Sequence, residues 1–143
     1  MRTLALSYGA DTVWGEEIID RAIVKTRRHV NLMLGTVDYV NANGRSAVFQ
    51  TCPAEHGRMV FQIGTSNAVT ALAAAQYVER DVAAIDINMA SGCPKRFSTQ
   101  DGMGAALMVA PESAADIVAT LRRNLAVPVT AKMRLLASEH DVR

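Results

Sequence analysis

Cysteine, histidine and aromatic residues are scarce: 2 Cys, 3 His and an aromatic fraction of 5% in 143 residues. So few and so scattered, the Cys and His residues cannot build a disulfide framework or a closed zinc site. A reducing, cytoplasmic setting is expected. Charge of one sign is also lacking, since 15 Lys and Arg face 14 Asp and Glu for a net +1. No global basic field exists, so contact with a polyanion must come from a local patch. No apolar run approaches the ~18–20 residues of a membrane span, and residues 1–14 lack the apolar core and cleavage pattern of a secretory signal. A membrane partner is therefore not expected. Half of the residues are hydrophobic and a fifth charged, with 9 Gly and 4 Pro. That composition excludes disorder and predicts one globular domain.

Positive signals begin at the N-terminus. Met1, Leu4, Ala5 and Tyr8 fall at helical spacing, with Gly9 where a C-cap glycine sits. Thr12-Val13-Trp14 is a short β-prone run, and residues 16–20 read as a strand exit or a helix start. The basic cluster from Lys25 to His29 reads as a solvated helical face. Asn41-Ala42-Asn43-Gly44 is a turn signal before residues 46–51. Met59-Val60-Phe61-Gln62-Ile63 and Ala83-Ala84-Ile85-Asp86-Ile87-Asn88 are buried-type strands. Between them, Ser66 or Asn67 is a candidate N-cap for an Ala-rich helix over 68–80. A short helix is predicted over 102–107 and a longer one from Pro111 through Leu125. Residues 128–134 form the last strand.

Apolar strands alternating with amphipathic helices predict an α/β chain with a parallel sheet covered by helices. Polar residues close the strands: Gln62, Asn88, Lys132 and Arg134. Doubly wound sheets and (β/α)8 barrels both bind ligands at that end. No GxGxxG or Walker A sequence follows any strand, which weakens the nucleotide-binding doubly wound option. At most four strand–helix units are present, whereas a complete barrel takes ~200–250 residues.

The most distinctive segment runs Asp86-Ile87-Asn88-Met89-Ala90-Ser91-Gly92-Cys93-Pro94-Lys95-Arg96-Phe97-Ser98 and continues to Gly102-Met103-Gly104. With Tyr8-Gly9-Ala10-Asp11, Glu16-Glu17-Ile18-Ile19-Asp20, Thr36-Val37-Asp38, Val60–Ser66 and Pro128–Arg134, it resembles the tRNA-dihydrouridine synthases. The likeness is strongest to the eukaryotic branch that acts on the D-loop uridine numbered 20. It implies a partial (β/α)8 TIM barrel over residues 1–143, approximately strands two to five with their helices. The first strand would precede Met1, and strands six to eight and a helical domain would follow Arg143. The resemblance also implies FMN as cofactor, NAD(P)H as reductant and tRNA as substrate. Cys93 then takes the role of general acid toward uracil C5. Gln62 and Lys132 match flavin-contacting residues, and Asn88 and Arg134 match residues near the substrate base. Lys95 and Arg96, beside the cysteine, are expected to meet RNA phosphates by charge, with a solvated loop as the equal alternative.

Each residue also has a bland reading. Cys93 can be a packed thiol, Gln62 and Asn88 can satisfy backbone at strand ends, and Lys132 can reach to solvent. Cys52 reads as structural or incidental and Trp14 as core. Two departures from the family stand out: the spacing from Asn88 to Cys93 is two residues longer than the usual Asn-x-Gly-Cys, and Asp101 adds a negative charge beside the cleft. A non-catalytic truncated relative that at most associates with RNA or protein is the competing reading. An unrelated flavin barrel acting on a small molecule is a third. An isolated partial barrel is expected to bind FMN weakly and to self-associate through its open strand edges.

Overall fold

The computed structural model describes residues 1–91 and 101–135. A short helix α1 (Arg2–Ser7) ends at Gly9, whose φ of 94° suits a residue without a side chain. Strands β1 (Val13–Trp14) and β2 (Ile18–Ile19) follow, then α2 (Asp20–Ile23). An antiparallel sheet comes next: β3 (Arg27–Asn31), β4 (Thr36–Val40) and β5 (Ala47–Thr51). The chain then returns through β6 (Met59–Gly64), α3 (Ala68–Val78), β7 (Ala84–Asn88), α4 (Pro111–Asn124) and β8 (Val129–Lys132).

β1 and β2 both pair with β6 in parallel, Val13 beside Met59 and Ile18 beside Ile63. They are two halves of one interrupted strand. β6 pairs with β7 and β7 with β8, all parallel. The expected parallel α/β sheet is therefore present, four strand positions wide.

Alternation along the strands decides which face is covered. Phe61, Ile63, Ile85 and Ile87 are nearly fully buried, in one cluster with Ala71, Ala74, Ala75 and Val78 of α3 and Ile117 and Leu121 of α4. The small residues of α3 let it lie close to the sheet. Asn67 caps that helix, its Oδ1 accepting from the amides of Val69 and Thr70 at 2.9 and 3.2 Å. Asp20 ties the end of β2 to the same helix, accepting from the hydroxyls of Thr65 and Thr70.

The antiparallel sheet is a departure from expectation. The basic cluster is not a helical face: Arg27, Arg28 and His29 lie on β3, paired with Val40, Tyr39 and Asp38. Charged side chains on a strand with one wet face produce the same local polarity as a solvated helix, so composition did not separate them. The segment predicted as a short helix over 102–107 is a 3₁₀ turn at Gly104–Val109.

Candidate active site at the carboxyl ends of the parallel strands

The strand register sets Gln62 beside Asp86 and Asp86 beside Thr130. Two residues further along, Asn88 lies beside Lys132. All five therefore share the face opposite the helices. Gln62 Nε2 donates to Asp86 Oδ2 at 2.6 Å, and Thr130 Oγ1 donates to Asp86 Oδ1 at 2.7 Å. Asp86 is buried with both oxygens engaged, so it fixes which way the Gln62 amide points.

Trp14 belongs to this face too, because its register partner Val60 precedes Gln62 by two. It is 48% exposed, so the expectation that it packs in the core is corrected. Parity puts its ring on the polar side of the sheet, away from the helices. Trp14, Gln62, Asp86, Thr130, Ala131 and Lys132 line a cavity of about 480 Å³.

Glu17, in the break between β1 and β2, lies over Gly64 at the end of β6. A Cβ at residue 64 would stand 2.6 Å from Glu17 Oε1 and 2.9 Å from Ile19 Cδ1, so a side chain there would push the tips of both aside. Glu17 Oε1 is buried without a hydrogen-bond partner. Burial raises the Glu17 carboxyl above its ordinary range, and a hydrogen bond from Asn88 only partly opposes that shift.

Asn88 organises the loop that follows β7. Its Oδ1 accepts from the amides of Ala90 and Ser91, both at 3.0 Å, closing an Asx-type turn. Met89 N donates to Lys132 O at 2.9 Å, Ala105 N to Ser91 O at 2.9 Å and Arg134 Nε to Ala90 O at 2.7 Å. The first three residues of the long loop are thus held from the strand end, from β8 and from the returning chain. That arrangement absorbs the start of the extended spacing without loosening it. It also commits the Asn88 carbonyl to backbone, which leaves its buried Nδ2 as the donor of the side chain, with one N–H toward Glu17 and one remaining.

Of the residues predicted from sequence, Gln62, Asn88, Lys132 and Arg134 therefore meet at one end of one sheet. Cys93, Lys95 and Arg96 lie outside the described residues, immediately beyond the anchored Ser91. Sequence reasoning gave no role to Asp86, Thr130 or Glu17. An acid in the middle of a buried strand, two before Asn88, was the available signal for Asp86; Glu17 carried none, because its burial depends on Gly64 of another strand. Cys52 is half-buried and N-caps the 3₁₀ turn at Pro53–Glu55, where it and Glu55 form a capping box, a structural role away from these residues. Among the described residues no group of three or more His, Cys, Asp or Glu side chains could hold a metal ion. None of their helices is long and apolar enough to cross a membrane.

Comparison with known proteins converges on one group. The family model described as "Dihydrouridine synthase (Dus)" matches residues 11–142. The chain is 40% identical over 150 aligned positions to the tRNA-dihydrouridine(20) synthase [NAD(P)+] of Saccharomyces cerevisiae, covering 98% of this chain and 38% of that protein. It is 38% identical over 148 positions to the tRNA-dihydrouridine(20) synthase [NAD(P)+] of Schizosaccharomyces pombe, covering 99% and 30%. A tRNA-dihydrouridine(20/20a) synthase of Xylella fastidiosa is 36% identical over 83 positions, 58% of this chain and 25% of that protein. The chain spans about a third of the length of the two yeast relatives. With a family match over nearly its whole length and a polar strand-end face of the expected residues, the chain belongs to the dihydrouridine synthase (Dus) family.

Proposed function

We propose that residues 1–143 are part of the FMN-binding TIM-barrel domain of a cytoplasmic tRNA-dihydrouridine synthase, their parallel strands being strands two to five of the barrel. The reaction is the two-electron reduction of a D-loop uridine in tRNA to dihydrouridine, with NAD(P)H as reductant. The observation that carries this reading is the placement of Gln62, Asn88 and Lys132 on one face at the strand ends, with Arg134 clamping the loop that enters Gly92-Cys93-Pro94-Lys95.

The donor set on the strands fits a flavin. An indole, an amide whose nitrogen is held by Asp86 and an ammonium surround a cavity of about 480 Å³, a combination suited to a flat ring system edged with both donor and acceptor atoms. Lys132 and Gln62 are the residues that would hold it. When bound, FMN supplies the hydride that goes to uracil C6.

The chain's own groups do the rest. Cys93 delivers the proton to C5 as general acid, balancing the hydride. Negative charge grows on the uracil carbonyls as reduction proceeds, and the Asn88 Nδ2 and the remaining Arg134 N–H groups are the donors that stabilise it. Lys95 and Arg96 take RNA phosphates by charge.

A chimera tests the reading. This chain replaces the matching segment of the S. cerevisiae relative, and dihydrouridine in its tRNA is measured by mass spectrometry. The expected result is modified tRNA that disappears with Cys93→Ala, and loss of bound flavin with Lys132→Ala. Undiminished modification with Cys93→Ala overturns the assignment.

A further inference from the structure

A second concavity opens at the same end of the sheet. Ile19 lies beside Gly64 at the end of β6, so α2 starts level with Asn88 and Lys132. From residue 101 onward, the chain lies over the β6 end: a Cβ at Gly102 would stand 3.6 Å from Ser66 Cβ. Between α2 and this returning segment is a groove of about 570 Å³. Its floor is apolar, from Ile19, Ala22 and Met103. Arg21 and Lys25 stand on one wall, with the Asn41 amide from the end of β4 next to them. Both cations are exposed, and neither forms an ion pair with a described residue. Asp101 is the opposing charge.

An apolar floor under two cations and an amide is the chemistry of a single-stranded nucleotide site. Unstacked bases are taken up by flat groups such as aromatic rings and Arg guanidinium planes, and phosphates by Lys and Arg, while apolar side chains line most ligand pockets. The volume lies within the range of about 300–1,000 Å³ found for ligand sites. The net excess of positive charge favours an anion, and the position level with the strand ends of Asn88 and Lys132 favours a strand already engaged there.

We propose that this groove seats the tRNA strand adjoining the target uridine, with phosphates on Arg21 and Lys25 and a neighbouring base against Ile19 and Ala22. The inference rests on the proposed tRNA substrate and deepens it. Asp101 then weakens binding, because it faces the phosphate path.

The test is fluorescence anisotropy of labelled, unmodified tRNA with the full 143-residue chain across a salt series. Arg21→Ala/Lys25→Ala weakens binding roughly tenfold at low salt and flattens the slope of log K against log salt by about 1.4, the value for two phosphate contacts on a single strand. Asp101→Asn tightens binding about twofold to threefold by the same electrostatics. Arg122→Ala/Arg123→Ala, exposed cations in the last turn of α4, leaves affinity within about twofold of wild type, since their charges lie on a helix of the outer layer. Circular dichroism melting confirms that the exposed substitutions keep the fold.

Wild-type affinity and slope in the Arg21/Lys25 variant overturn the groove, and so does weaker binding with Asp101→Asn. A chain that binds polyglutamate but not tRNA overturns it as well, because the cations then serve an acidic protein partner. None of these outcomes bears on the uridine-reduction reading, which stands or falls with dihydrouridine formation in the chimera.

Discussion

The two sheets of this molecule are built on opposite logics. In the parallel sheet, β6 and β7 are covered by helices on one face, while the other carries a hydrogen-bonded polar row from Gln62 through Asp86 to Thr130. In the antiparallel sheet the polar side chains serve stability. Asp38 gathers Thr36, Asn31 and Gln50 around its carboxylate, and β3 is anchored to the helical layer by one ion pair. That pair is Arg28 to Asp81, with two N–H···O bonds of 2.7 Å, and Tyr39 Oη donates to the same carboxylate at 2.5 Å. Burial, reinforced by the hydrogen bond and charge of Asp81, pushes the Tyr39 phenol well above its ordinary range. One sheet thus presents its polar groups at its strand ends, and the other spends them on itself.

The comparison breaks most severely where the sheets touch. The Phe49 and Phe61 rings meet edge to face at 4.8 Å, and Phe61 is fully buried. Phe61→Ala is expected to cost about 3–5 kcal/mol in urea unfolding, removing support from both sheets together. Asp81→Ala strands the Arg28 guanidinium and the Tyr39 hydroxyl, at a cost of about 3 kcal/mol. Hydrogen exchange should then show lost protection in β3 and β4 with β6 and β7 kept. Equal loss in both sheets would show that Asp81 does not anchor the antiparallel sheet specifically.

Gly64→Ala sharpens the other side of the contrast. Its Cβ meets the movable tips of Glu17 and Ile19, so a cost at the low end of overpacking, about 1 kcal/mol, is expected. Glu17→Ala should relieve most of it, and a double-mutant cycle without coupling refutes the contact.

The smallest effects are in pH dependence. In Glu55 and Asp81, burial raises the carboxyl, but hydrogen bonds from Arg2 and Arg28 outweigh it and leave both below their ordinary 4.5 and 3.8. Asp38 is lowered from 3.8 in the same way, by Thr36, Asn31 and Gln50 against burial. Stability from such groups is complete above the unfolded values and is lost as pH falls through the lower folded ones. Glu17 has the opposite sign: its folded value lies above 4.5, so its cost grows as pH rises from 4.5 through that value. Thermal melts from pH 3 to 7 should show Glu55→Gln reducing the acid loss and Glu17→Gln removing a penalty at neutral pH. A Glu17→Gln profile parallel to wild type contradicts the raised carboxyl.

Much of this was legible in the sequence. The strands around Phe61 and Ile85, the Asn67 cap and the Gly9 terminus are local decisions, written by apolar runs and by residues with special backbone preferences. Gln62, Asn88, Lys132 and Arg134 were recognisable because each lies at or near the carboxyl end of a strand within a family motif. The antiparallel sheet was not legible: β3 carries Arg27, Arg28 and His29, and its pairing with β4 compensates for a sequence that is poor in strand signal. Asp86 was hidden for a related reason, since its role exists only through Gln62 and Thr130 on neighbouring strands.

By itself, then, the sequence determined the family, the order of the parallel strands and helices, and the residue types at the strand ends, because those follow from short-range periodicity and contiguous motifs. Only the tertiary structure decided that Trp14 faces the polar side, that Glu17 lies on Gly64, and that Arg21, Lys25 and Met103 share one groove. Each of these joins residues distant in sequence or fixes the face of a strand, and strand register and packing are what bring such partners within a few ångströms of one another.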